Sequence, residues 1–162
     1  MNLLKHFKIC AFALLLTLLS NTVQAQISND LSDEEALKAL LAAKKEAEKL
    51  GVLENIAVVD AGANLKAFIR MDDSFIGSID IAIKKAKTAR YFNMATGDLG
   101  KISQPGGIVY NIELSNGGLI TFPGGVPIKD ENGTIIGAIG VSGGTIEEDH
   151  DIATVGANAV IN

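Results

Sequence analysis

Residues 134–142, TIIGAIGVS, spell a strand that is apolar on both sides. Ile135, Gly137, Ile139 and Val141 fall on one face, and Ile136, Ala138, Gly140 and Ser142 on the other. Such a strand cannot border a half-solvated sheet, because both faces must be covered by helices or by a partner subunit. NIAVVD at 55–60 has the same two-sided character and is expected inside the sheet as well.

The flanking pattern supplies the cover. Ser32 with Glu35 spells a capping box, Leu37, Leu40, Leu41, Ala47 and Leu50 recur at helical spacing, and Gly51 ends the run. A tight turn joins NIAVVD to NLKAFIRM (64–71), whose Leu65, Ala67, Ile69 and Met71 alternate with Lys66, Phe68 and Arg70. Ser78 opens a second helix with Ile79, Ala82, Ile83, Ala86 and Ala89 as its packing face. Residues 96–118 are rich in glycine and read as loop followed by a partly ordered crossing segment. GLITFP and VPIKDE read as short strands, and Asn132-Gly133 as a hairpin turn into TIIGAIGVS. Thr145 and Glu148 form a second capping box ahead of a terminal helix whose apolar rows are Ile146–His150–Ala153–Ala157–Val160 and Ile152–Val155–Ala159. The order is α-β-β-α-β-β-β-α, a single α+β domain.

The first 25 residues stand apart. MNLLKHFK is a short basic segment, ICAFALLLTLLS an apolar core too short to span a bilayer comfortably, and VQA a cleavage signal, so residues 1–25 are expected to be a signal peptide cut after Ala25. Export to the periplasm or outside the cell follows, with no stable membrane anchoring after cleavage. Cys10 leaves with that segment, and a chain of residues 26–162 without cysteine excludes disulfides, thiolate catalysis and zinc–thiolate or iron–sulfur sites. Losing Lys5 and Lys8 leaves 12 basic against 19 acidic residues, a formal charge near −7 that argues against nucleic acid as a partner.

GVSGG at 140–144 matches the G-x-S-x-G nucleophile elbow of serine hydrolases. Its partners are missing: His150 is eight residues on, inside the following helix, where it cannot serve Ser142 as a triad histidine does. No phosphate-cradling G-x-x-x-x-G-K-[ST] or G-x-G-x-x-G occurs, and scattered carboxylates with one histidine make no metal ligand set. No catalytic set is therefore assigned. Gly106-Gly107, Gly117-Gly118, Gly124-Gly125 and Gly143-Gly144 each lie beside a strand-like segment and read either as bends or as a backbone-lined concavity. The acids Glu147, Glu148, Asp149 and Asp151 read as a helix's first turns complementing its dipole. His150 sits on an apolar row, where an imidazole is either a satisfied packing residue or a competent axial ligand for haem iron.

Three blocks together resemble a known family: VVDAGANLKAFIRMD, AIKKAKTAR, and FPGGVPIKDENGTIIGAIGVSGGTIEEDHDIA. Over residues 26–162 the chain is similar to the GlcG/HbpS-like haem-binding family, also called the haem-degrading domain and found as the C-terminal part of PduO-type proteins. The resemblance implies an antiparallel sheet of about five strands flanked by helices, assembly into homo-oligomers such as octamers, and haem as cofactor, bound rather than turned over. It also implies that Asp60, Gly62, Arg70, Asp72, Lys84, Lys87, Gly124, Gly125 and Pro127 line a shared pocket or hold the fold. Related domains carry a haem-ligating histidine in the first helix. SDEEALKALLAAKKEAEKL has no histidine, methionine or tyrosine, which leaves His150, or a weaker oxygen or thioether donor, as the axial-ligand candidate. Haem scavenging, buffering or sensing is the expected role. The alternative is an enzyme or binding module for a small carboxylate or oxo-acid, with Lys87 or Arg70 as anion clamp and Asp60 or His150 as acid–base group.

Overall fold

The structure is a computed structural model that describes residues 30–161. The expected signal peptide, residues 1–25, and its expected cleavage site lie outside the described residues. The elements are α1 (Asp33–Leu50), β1 (Asn55–Asp60), β2 (Leu65–Arg70), α2 (Ser78–Phe92), α3 (Thr96–Ser103), a 3-10 turn (Ile112–Leu114), β3 (Gly125–Lys129), β4 (Ile135–Ser142) and α4 (Ile146–Ala159). The four strands form one antiparallel sheet in the order β2-β1-β4-β3. β1 and β4 occupy the inner positions, as their two-sided apolar character requires.

Helices cover both faces. Ile56, Val58, Ile139 and Val141 pack with the small residues of α1 and α4, while Ala57, Val59 and Ala138 meet Ala82, Ala86 and Ala89 of α2. Both capping boxes are present, with Ser32 and Thr145 each accepting from the amide three residues on. Gly51 ends α1 with φ 74°.

The buried faces differ from the leucine-based reading of α1. Ala36, Ala39, Leu40, Ala43 and Ala47 are buried, whereas Leu37, Leu41 and Leu50 are turned outward and exposed. The reason is close helix approach: a Cβ on Gly156 of α4 would sit 2.8 Å from the Ala39 carbonyl oxygen and 3.0 Å from the Ala43 Cβ. An alanine–glycine seam admits that spacing and a leucine seam does not. In α4 the same pressure buries Asp149, Ile152, Ala153, Gly156 and Ala157, leaving Ile146 and Val155 exposed and His150 half-buried at the edge.

Two further expectations fail. Residues 96–103 are helical rather than loop. Gly97 and Gly100, which obscure the pattern, are where α3 touches the chain at Thr121 and Pro123. GLITFP is not a strand, so the sheet has four strands instead of about five. Side chains satisfy this segment's backbone in place of a ladder: Ile120 N–H donates to Thr88 Oγ1 at 3.2 Å, and Thr96 Oγ1 donates to the Phe122 carbonyl at 2.7 Å.

Candidate functional site

The two glycine-rich signatures, FPGGVPI and GVSGG, meet around a buried charge cluster that the pattern of residues does not announce. Lys85 of α2 is fully buried, although it lies on the same helical row as Ala82 and Ala89. Its ammonium donates to Asp149 Oδ2 at 2.5 Å and to the Val141 carbonyl at 2.8 Å, and stands 4.7 Å from the centre of the Phe122 ring. Asp149 Oδ1 accepts from the amides of Gly143 (3.2 Å) and Gly144 (3.0 Å). The third member is Glu54, just before β1, whose Oε1 accepts from Gly144 N–H at 3.1 Å.

GVSGG thus presents amides, not a nucleophile. Ser142 is buried at the end of β4, and the bend after it forms a nest of successive amides for the Asp149 carboxylate. Gly124, at φ 120°, covers the cluster from the other side. A Cβ there would lie 2.5 Å from Lys85 Nζ and 2.9 Å from Asp149 Cβ. Both glycine pairs are therefore close-approach positions.

Two carboxylates and one ammonium leave one charge too many for a buried site. Burial, and next the neighbouring Asp149 carboxylate, push Glu54 up from 4.5 to about 8. Burial also raises Asp149, opposed by Lys85 and the two glycine amides, and lowers Lys85, opposed by Asp149. Asp149 has the ammonium and two amides as donors, so it is the better seat for the negative charge, and Glu54 holds the proton. That assignment resolves an otherwise orphaned atom: Glu54 Oε2 is buried without a partner, and as a hydroxyl it can donate toward Asp149.

Beside this cluster the second turn of α4 carries His150 into a cavity of about 380 Å3, lined also by Ala95, Gly97, Asp98, Lys101, Pro123, Glu147 and Asp151. His150 Nδ1 is buried and has no hydrogen-bond partner. A second concavity of about 410 Å3 shares Ala95 and Asp98 with the first and reaches Met94, Val126 and Pro127. Lys101 pairs with Asp98 at 2.8 Å on the exposed rim.

The other sequence-derived residues are dispersed. Asp60 and Arg70 sit at opposite ends of the β1–β2 ladder. Asp60 accepts from Asn64 N–H at 2.8 Å and closes the hairpin turn around Gly62, while Arg70 donates to the Ser74 carbonyl at 2.9 Å. Asp72 is exposed in the turn after β2. Lys84 and Lys87 face a separate cleft on α2, and Pro127 lines the second concavity. Gly124 and Gly125 alone join the buried cluster, Gly125 through its backbone contact with Lys85. Among the described residues no group of three His, Cys, Asp and Glu side chains is placed to hold a metal ion.

A four-stranded antiparallel sheet with helices on both faces, stapled across its glycine signatures by one buried lysine, defines the class of domain. The chain belongs to the family described as haem-degrading protein HbpS-like, whose model matches residues 31–158. It is 39% identical over 130 residues to a 15.0 kDa protein from the dhaT–dhaS intergenic region of Citrobacter freundii, covering 75% of this chain and 91% of that one. It is 37% identical over 131 residues to the corrinoid adenosyltransferase PduO of the same organism, covering 80% of this chain but only 39% of PduO. Among solved structures it is similar to the PduOC–haem complex, with 35% identity, a TM-score of 0.75 and coverage of 80% of this chain and 94% of that one.

Proposed function

We propose that this protein binds haem at the His150 cavity, and that it is an exported, homo-oligomeric protein serving haem scavenging, buffering or sensing. Membership of the HbpS-like family and similarity to a domain solved with haem support the ligand class. The observation that carries the site is the unpartnered ring nitrogen of His150, in the one histidine among the described residues. A buried polar atom left unsatisfied costs about 1–3 kcal/mol, which a ligand in the cavity would offset.

The residues present fit the group. His150 would hold the iron, Ala95 and Pro123 would give the ring an apolar wall, and Lys101 would meet a propionate carboxylate on exchanging its present partner, Asp98. The cavity and its neighbour across Ala95 and Asp98, about 380 and 410 Å3, match a large planar ligand better than a small metabolite. Bound haem supplies a redox-active iron centre; the chain's part is to ligate, orient and shield it.

Haemin titrated into the purified protein should give a sharpened, saturable Soret band, and His150→Ala should shift that band or abolish it. A flat, non-saturating titration rejects the haem reading. An unchanged spectrum in His150→Ala rejects this ligand. Light scattering should report an oligomer, and sequencing of the exported protein should start at Gln26.

A further inference from the structure

On the face of α2 opposite the sheet, Asp80, Lys84, Lys87 and Tyr91 follow one another at spacings of four, three and four, and so form one row. They line a cleft of about 180 Å3 together with Ile83, Leu119 and the backbone of Asn116, Gly117 and Gly118. This cleft shares no lining residue with the His150 cavity.

Its charge is unbalanced. Lys84 is held by Asp80 at 2.8 Å, but Lys87 is half-buried and makes no ion pair or hydrogen bond among the described residues. The Tyr91 hydroxyl also makes no hydrogen bond among the described residues. Asn116, Gly117 and Gly118 hold φ of 52°, 74° and 100°, three consecutive left-handed residues. Gly118 lies beside the Lys84 ammonium, where an added Cβ would stand 3.4 Å from Nζ, in ordinary contact.

We infer that this cleft is a binding site for a small organic carboxylate. Lys87, aided by Lys84 and the Tyr91 hydroxyl, takes the carboxylate, and Ile83 and Leu119 take a short apolar chain. The volume is that of about six water molecules at roughly 30 Å3 apiece, which admits an acid of a few carbons and no macrocycle. One lysine partly neutralised by Asp80 and one unpaired leave little more than a single positive charge, which suits a monocarboxylate better than phosphate. The site stands independently of the haem reading.

Calorimetric titration of the haem-free protein with butyrate, with inorganic phosphate in parallel, tests it. Saturable butyrate binding is expected, weakened tenfold or more in Lys87→Gln and several-fold in Tyr91→Phe, and unchanged in His150→Ala. Absence of butyrate binding overturns the inference, as does binding unaffected by Lys87→Gln or equal binding of phosphate. Loss of butyrate binding in His150→Ala would relocate the ligand to the other cavity and overturn it too. A failed haemin titration with butyrate binding intact would remove only the haem reading.

Discussion

At the scale of single residues, a lysine with no exposed surface survives in a fold only when its ammonium is fully occupied. Lys85 meets that condition through Asp149, the Val141 carbonyl and the Phe122 ring. Truncating one partner of such a pair leaves the other buried and uncompensated, at a cost of about 3–5 kcal/mol. Lys85→Met is therefore expected to lower the unfolding free energy by that much, read as a lower denaturant midpoint, while Lys85→Met/Asp149→Asn recovers a good part of the loss. A double variant no more stable than Lys85→Met would show that the charge pair is not the source. The lysine was legible in principle, since it interrupts the alanine row of α2. Asp149 was not, because it sits among Glu147, Glu148 and Asp151 in a turn where acids are favoured by the helix dipole whatever else they do. Glu54 carries no local signal; only the approach of three elements makes it a member of the cluster.

At the scale of elements, local chemistry fixed the starts and stops better than the faces. Ser32 with Glu35 and Thr145 with Glu148 announce α1 and α4 because a capping box is complete within four residues. β1 and β4 announce themselves through their two-sided apolar runs. The outward turn of Leu37 and Leu41 and the helix at 96–103 were hidden, because both depend on what lies opposite: an alanine–glycine seam in one case and the Thr121–Pro123 backbone in the other. Gly140 is the sharpest instance of such dependence. Its missing side chain is where the backbone of α2 at Ala82 and Ala86 comes down on β4. Gly140→Ala should force the helix off the sheet and cost about 3 kcal/mol or more, measurable as a drop in thermal midpoint. Gly133→Ala in the exposed β3–β4 turn, where no neighbour lies within 4 Å but φ is 81°, should cost only about 1 kcal/mol. Equal losses would refute the packing argument.

At the scale of the whole molecule, the buried cluster makes stability a function of pH. Glu54 has a folded-state pKa near 8 against an ordinary 4.5, so the native state holds a proton that the unfolded chain has released. The sign follows from linkage: this contribution is complete below about pH 4.5 and is lost as pH rises through about 8, with a slope of up to about 1.4 kcal/mol per pH unit between them. Asp149, also raised, acts in the same direction. Lys85, lowered from 10.5, acts oppositely, its contribution growing as pH rises toward 10.5. Resistance to denaturant should therefore fall from pH 5 to pH 8.5, and Glu54→Gln, neutral at every pH, should flatten that decline. A wild-type profile already flat over this range would contradict the protonated Glu54.

The sequence by itself determined the α+β class, the inner strands, the capped helices and the family, because periodicity, caps and the glycine signatures are local and survive without knowledge of neighbours. Tertiary structure alone decided why those signatures exist. Gly124 leaves room over Lys85, and Gly143 and Gly144 offer amides to Asp149, so the strand end that resembled a nucleophile elbow is the seat of a buried ion cluster. Desolvation and close approach are properties of what stands opposite, and residues from positions 54, 85 and 149 stand together only once the chain has folded.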